Sequence, residues 1–201
     1  MATATAVMKH RFRGYLPVVV DVETAGFDAN KDALLEMAAV LLDFNAKGQL
    51  ICVDTLHEHI EPFTGAHIDT KALAFNGIKP FNPFRFAKPE KLALETIFKP
   101  IYAAIRAHHC QRAVLVGHNP AFDLRFLQAA VKRSHIKKNP FHAFTTFDTA
   151  TLSAVAFGQT VLLCAAQAAN LEFDQDQAHS ALYDAQKTAE LFCKIVNEWR
   201  Y

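Results

Sequence analysis

Apolar residues enter this chain first as short unbroken runs and later at helical spacing. Pro17 to Phe27, PVVVDVETAGF, begins as a buried strand: Val18, Val19 and Val20 lead straight into Asp21 and Glu23 before Gly26 breaks the run. Ala33 to Phe44 fits helix and strand alike at first, and its second half, AAVLLDF, reads as strand. Asn45-Ala46-Lys47-Gly48 is a turn, which makes Gln49 to Ile60 a third strand paired as a hairpin. Thr64 to Asn76 reads as a loop and a short helix stopped at Gly77. The Pro- and Phe-rich stretch Ile78 to Pro89 reads as an irregular loop.

The rhythm then changes. Leu94, Ile97, Phe98, Ile101 and Ile105 recur at helical spacing within Lys91 to His109, in spite of Pro100. Ala113 to Val116 is a short strand that runs into Gly117-His118-Asn119-Pro120. There Asn119 is expected to cap a helix begun by Pro120, placing Asp123 one turn inside. Thr145 to Asp148 makes a fifth strand, followed by helices around Ala150 to Phe157 and Val161 to Asn170. Ala181 to Trp199 is the last long helix, with Ser180 as its cap and Leu182, Ala185, Ala189, Phe192, Val196 and Trp199 along one face. Strands first, then strands alternating with helices, predict an α/β domain with a mixed sheet.

Composition narrows this to one domain, 1–201, because 201 residues at 51% hydrophobic content can bury a core. No apolar run nears the roughly eighteen residues of a membrane span, and MATATAVMKHRFR lacks the apolar centre of a secretory signal. A cytoplasmic protein is expected. Cys52, Cys110, Cys164 and Cys193 are too scattered for zinc or a disulfide framework and are expected as buried, reduced thiols. Net charge is only +1, yet its distribution is uneven. Thr96 to Phe147 sets eight Lys and Arg against the single acid Asp123, and the first twenty residues are acid-free with Lys9, Arg11 and Arg13. Such blocks fit a phosphate-binding face or a solvated helix face.

Alternation along a strand puts Asp21 and Glu23 on one side, roughly 6.5 Å apart. Two carboxylates at that separation repel by roughly 2–3 kcal/mol at an effective dielectric near 20, a repulsion that magnesium or a shared proton relieves. Taken alone, the pair fits a metal site and a solvated strand end equally. His179 and Asp184, five apart, would lie about 140° from each other on a continuous helix. With Ser180 as cap, His179 instead sits on the preceding loop and both lean over one spot. Asp148 ends the fifth strand and is read as orienting neighbouring groups.

Asp21, Glu23, Asp123 and Asp184, with His179 just before the last, stand in the motifs DVETAGF, GHNPAFDLRFL and HSALYDAQKTAELF. In that order and setting the chain resembles the DEDDh 3′–5′ exonuclease family. RFRG, ALAFNGI, NPFH, TFDTA and GQTVL narrow the resemblance to the ribonuclease T branch, over nearly the whole chain. The resemblance implies a ribonuclease H-like fold, a five-stranded mixed sheet flanked by helices, with two Mg2+ ions held by the four carboxylates and His179 as general base. It implies that Phe27, Phe75, Phe122 and Phe144 stack on the terminal bases, and that Arg11, Arg13, Arg112 and Lys137 grip the RNA backbone. Lys71 departs from the family pattern, which carries Glu beside these rings. The implied activity trims the 3′ ends of structured RNAs such as tRNA and rRNA precursors, and degrades single-stranded DNA, in a homodimer. The alternatives are a polymerase-associated proofreading exonuclease and a catalytically silent RNA-binding module.

Overall fold

The unbroken valine run is explained by what flanks it. The computed structural model describes residues 4–199, so Met1 to Thr3 of the stretch read for a signal, and the terminal Arg200 and Tyr201, lie outside the described residues. Five strands form one mixed sheet: β1 (Tyr15–Thr24), β2 (Leu34–Phe44), β3 (Leu50–His59), β4 (Arg112–Gly117) and β5 (Phe141–Asp148), in the order β3-β2-β1-β4-β5. β1 is central, antiparallel to β2 and parallel to β4, while β3 is antiparallel to β2 and β5 parallel to β4. A strand covered on both faces needs apolar side chains on both, and Val18, Val19 and Val20 are all buried. The same cause explains the ambiguity of Ala33 to Phe44. All of β2 is strand, and because both its faces are buried it shows no alternation to separate it from a buried helix.

The helices are α1 (Ala4–Arg11), where the sequence analysis assigned no element, α2 (Thr70–Asn76), α3 (Glu90–Ala107), α4 (Ala121–Arg133), α5 (Thr149–Phe157), α6 (Leu162–Ala168) and α7 (Ala181–Glu198). α7 packs on β1, β2 and β3, while α3 reaches β1 to β4 and α4; α5 and α6 lean on α7. The packed face of α7 is Ala181, Ala185, Ala189, Phe192 and Ile195. Trp199 departs from the expected face: it lies just past the helix end and is exposed, and Leu182 is only half-buried. Cys52 is also exposed rather than buried, because it sits on the outermost strand; Cys110 and Cys164 are half-buried, and all four cysteines are free. Among the described residues no single helix is long and apolar enough to cross a membrane.

An ion pair ties α3 to α4 and to the loop that follows β1. Glu90, at the start of α3, accepts from Arg133 at 2.6 and 3.1 Å, and Arg133 also donates to the Ala29 carbonyl and covers the Phe63 ring at 3.9 Å. Arg133→Ala removes the charged partner of a buried carboxylate, leaving it only the Ser134 hydroxyl at 3.2 Å, and should destabilise the protein by about 3–5 kcal/mol, read as a lower midpoint in urea unfolding.

Candidate active site

The carboxylates meet because β1 and β4 are parallel and end on the same side of the sheet. In open α/β sheets such carboxyl ends are where ligands bind. Asp21 and Glu23 project from the last residues of β1, Asp123 from the first turn of α4 after β4, and Asp184 from the first turn of α7. Asp21, Glu23 and Asp184 bring ligand oxygens within 4.8 Å of one another. Asp123 is buried beside them and its Oδ1 accepts from the Val22 N–H at 3.1 Å, which stitches α4 to β1. Asp184 Oδ2 accepts from the His179 N–H at 3.0 Å, while its Oδ1 is buried with no hydrogen-bond partner. An orphaned carboxylate oxygen facing two more carboxylates is the donor set of a hard divalent cation, so the residues present fit such an ion.

The loops that carry these groups are held tightly. At Gly117 a Cβ would stand 3.3 Å from the Val20 carbonyl and 3.1 Å from Pro120, so any side chain there would press on the junction where β4 turns into α4. Asn119 does not cap α4 as expected. The helix begins one residue later, with Pro120 in the cap position, and Asn119 adopts φ 66° so that its N–H donates to Asp148 Oδ1 at 3.0 Å. Asp148 also accepts from the Ala150 N–H at 3.0 Å, capping α5, and from the Thr151 hydroxyl; burial raises its pKa, but the Thr151 hydrogen bond, with those from Asn119 and Ala150, outweighs it and holds the value low. Ser180 occupies the cap position of α7 without a side-chain cap bond. Asn76, not singled out from sequence, donates to Glu23 Oε2 at 3.2 Å and to the Thr24 carbonyl at 3.1 Å. Its signal was the Asn-Gly pair at the end of α2, where Gly77 takes φ 69° and stops the helix.

A cavity of about 520 Å³ opens over the carboxylates, bordered by Phe27, Phe75, Phe122, Lys71 and His118. Phe27 and Phe75 are 80% and 68% exposed, an orientation that packing does not explain. Phe122 meets Phe27 edge-on at 6.1 Å. Phe144 is equally exposed but lies against His142 and not on this cavity. The His179 ring packs on Phe75 at 4.1 Å and lines an adjoining cavity, with its backbone at φ 67°. Also missed from sequence is Glu36, paired across the sheet with Glu23 and surrounded by His57, His59 and Arg85. Burial pushes the Glu36 carboxyl up, but the His57 hydrogen bond and the positive charge of His59, His57 and Arg85 outweigh it and hold it below its usual range. The sequence clue was His57 and His59, two apart on one face of β3.

The basic residues collect elsewhere. Tyr15 pairs with Arg112, and Arg11 and Arg13 immediately precede β1. Lys137 lies in the loop leading into β5. All four therefore lie at the amino ends of the parallel strands, about 20 Å of strand away from Asp21.

Comparison with known proteins decides the family. Residues 18–192 match the exonuclease family RNase_T. The chain belongs to the ribonuclease T family. Ribonuclease T of Vibrio campbellii is 58% identical over 194 residues, covering 96% of this chain and 91% of its own. Ribonuclease T of Shewanella frigidimarina is 56% identical over 192 residues, covering 96% and 87%. Membership makes this family member a 3′–5′ exoribonuclease, a divalent-metal-dependent phosphodiester hydrolase. The fold recurs in E. coli exonuclease I in complex with a dT13 oligonucleotide, at TM-score 0.69 and 16% identity, over 92% of this chain and 41% of that one. It recurs in a full-length 3′-exonuclease at TM-score 0.70 and 16% identity, over 90% and 61%. The chain thus spans only part of both structural relatives, and the likeness to them is one of fold, the ribonuclease H-like sheet.

Burial, with mutual repulsion, raises the carboxyls of this family member. Glu23 is pushed up to about 8, first by burial and then by Asp184, against the opposing Asn76 hydrogen bond. Asp123 is pushed up to about 7 by burial, and Asp21 and Asp184 rise for the same first reason. An acid whose folded pKa is raised favours the folded state while protonated, so its contribution is lost as pH rises through the folded value. The ion-free protein should therefore melt at progressively lower temperature from pH 5 to pH 9. Magnesium added at the alkaline end should restore the melting temperature, as differential scanning fluorimetry would show.

Proposed function

We propose that Asp21, Glu23, Asp123 and Asp184 hold two Mg2+ ions, and that the substrate is the 3′ end of single-stranded tails on structured RNAs, with tRNA and rRNA precursors as targets and single-stranded DNA as a second substrate. The observation that carries this reading is the convergence of Asp21, Glu23 and Asp184 within 4.8 Å around the orphaned Asp184 oxygen, under the exposed rings of Phe27 and Phe75. Bound divalent ions supply acidification of the attacking water and stabilisation of the leaving 3′ oxygen. The chain's own groups do the rest. Neutral imidazole at His179 accepts the water's proton, a task for which the ligand carboxylates are already engaged. Phe27, Phe75 and Phe122 stack on the last bases, each contact worth about 1–3 kcal/mol, with Phe144 meeting a base farther out. Because His179 rests on Phe75, the proton acceptor and a stacked base share one rim. Asn76 keeps Glu23 turned toward the cavity, and Asp148 fixes the loop that aims Asp123.

Arg11, Arg13, Arg112 and Lys137 lie at the opposite end of the sheet, about 20 Å of strand from the cavity. In this reading they grip the RNA entering the site of a second copy, in a two-fold homodimer with two equivalent sites. The whole chain, 1–201, acts as one exonuclease domain in the cytoplasm.

The test of the chemistry is a 3′-tailed duplex RNA resolved at one nucleotide. Asp123→Asn should abolish trimming at ordinary magnesium, and His179→Ala should lower turnover roughly 10²- to 10⁴-fold with binding retained. Trimming by Asp123→Asn at the parent rate would remove that residue from the metal site.

For the dimer, mix Asp21→Asn subunits with subunits lacking Arg11, Arg13 and Lys137. Exchange should create one intact composite site and raise activity above either variant alone. With exchange verified, flat activity would mean that each subunit grips its own substrate.

A further inference from the structure

Three phenylalanines outside the catalytic cavity are as exposed as those on it. Phe81, Phe84 and Phe86 are 78%, 81% and 82% exposed, all within the short loop between α2 and α3. A floppy loop would give such exposure no meaning, but this backbone is pinned along its length. Arg85 donates to the Leu35 carbonyl at 2.8 Å and the Pro80 carbonyl at 3.3 Å and pairs with the buried Glu36. The Asn82 side chain accepts from the Phe84 N–H at 3.0 Å, and the Lys88 N–H donates to the His59 carbonyl at 2.9 Å. Phe86 is held at φ 50°, a left-handed conformation that a bulky residue takes only where its surroundings impose it. The loop is built to turn its rings outward. Exposed aromatic clusters of this kind mark contact surfaces.

Charge identifies the partner. From Thr70 to Pro89 there is no acidic residue, while Lys71, Lys79, Arg85 and Lys88 are basic. Arg85 and Lys88 are paired with Glu36 and Glu58, which leaves Lys71 and the exposed Lys79 unpaired among the described residues. Position links the loop to the chemistry. A cavity of about 350 Å³ is lined both by Lys79, Asn82 and Arg85 of this loop and by Asn76 and His179 beside the carboxylates, with Glu36, already paired with Arg85, also on it. Asn76 is the residue that holds Glu23. Exposed aromatic rings interleaved with cations, on a loop whose Lys79, Asn82 and Arg85 line the cavity adjoining the catalytic one, are the makings of a stacking platform for single strands.

The geometry points to a second base-stacking site: Phe81, Phe84 and Phe86 bind the single-stranded nucleotides that lie beyond those held in the catalytic cavity, with Lys79 facing their phosphates. This rests on the exonuclease reading for the identity of the strand. The rings set how firmly long single strands are held between successive cleavages, and a dinucleotide is too short to reach them.

The experiment compares Phe81→Ser, Phe84→Ser, Phe86→Ser and the triple variant with the parent. Binding of a 5′-labelled 12-nucleotide single-stranded RNA is followed by fluorescence anisotropy on the Asp21→Asn background, which keeps the strand intact. Dinucleotide hydrolysis and melting temperature are measured in the otherwise unaltered protein. The triple variant should bind the 12-mer at least about tenfold more weakly, each single change contributing a part. Dinucleotide hydrolysis should stay within about twofold of the parent, and the melting temperature should hold or rise, as expected when exposed rings are removed. Unchanged 12-mer binding would overturn the proposal and assign the surface to another partner, such as a protein. A fall in melting temperature matching the binding loss would overturn it in favour of a packing role, and a loss confined to tailed duplex would mean that the loop meets paired RNA. A parent that binds the 12-mer through these rings but hydrolyses nothing would sink the exonuclease reading and leave this site standing.

Discussion

Repulsion among carboxylates at one strand end is the constraint around which this protein is arranged. Asp21, Glu23 and Asp184 stand within 4.8 Å of one another with Asp123 buried alongside; burial raises all four pKa values, and the neighbouring carboxylates add to the rise at Asp21 and Glu23. The fold answers with single, well-aimed donors: Asn76 to Glu23, the Val22 N–H to Asp123 and the His179 N–H to Asp184. These neutral donors orient Glu23, Asp123 and Asp184 without neutralising them. The site therefore keeps unspent negative charge, which is what a divalent ion requires and what a purely structural cluster would have eliminated through arginine or lysine. The contrast lies one strand away, where Glu36 is satisfied by His57, His59 and Arg85.

Strand polarity then separates two tasks that would interfere if they shared a surface. Parallel pairing of β1, β4 and β5 sends their carboxyl ends to the chemistry and their amino ends, with Arg11, Arg13, Arg112 and Lys137, to the opposite end of the sheet. Cations beside the carboxylates would compete with the metal for the same oxygens. Held about 20 Å of strand from Asp21, they leave those oxygens uncontested.

The phenylalanines divide by the same logic of exposure. Phe12, Phe126, Phe141 and Phe192 are buried and build the core, whereas Phe27, Phe75, Phe81, Phe84, Phe86 and Phe144 stand in solvent on backbones fixed by hydrogen bonds and close contacts. At Gly26 a Cβ would come within 2.1 Å of the Asp32 carboxylate, so the turn that displays Phe27 closes only without a side chain. Rings that face water on a rigid backbone offer stacking surface at little ordering cost on binding.

Local chemistry carried much of this in the sequence. The valine run, the Gly77 stop, the helical spacing of α3 and the order of DVETAGF, GHNPAFDLRFL and HSALYDAQKTAELF are properties of neighbouring residues, and they led to the strands, the helices and the four acids together with His179. What the sequence left open depends on residues far apart in the chain. Whether Ala33 to Phe44 was helix or strand turned on burial of both faces, and Asn119 left the cap position of α4 to Pro120 because its N–H donates to Asp148, twenty-nine residues on. No periodicity announces that Asn76 reaches back fifty-three residues to Glu23, that Glu36 gathers His57, His59 and Arg85, or that Phe144 stands apart from the cavity bordered by the other three rings. Those pairings follow from strand register and loop closure, long-range terms that only the folded chain decides.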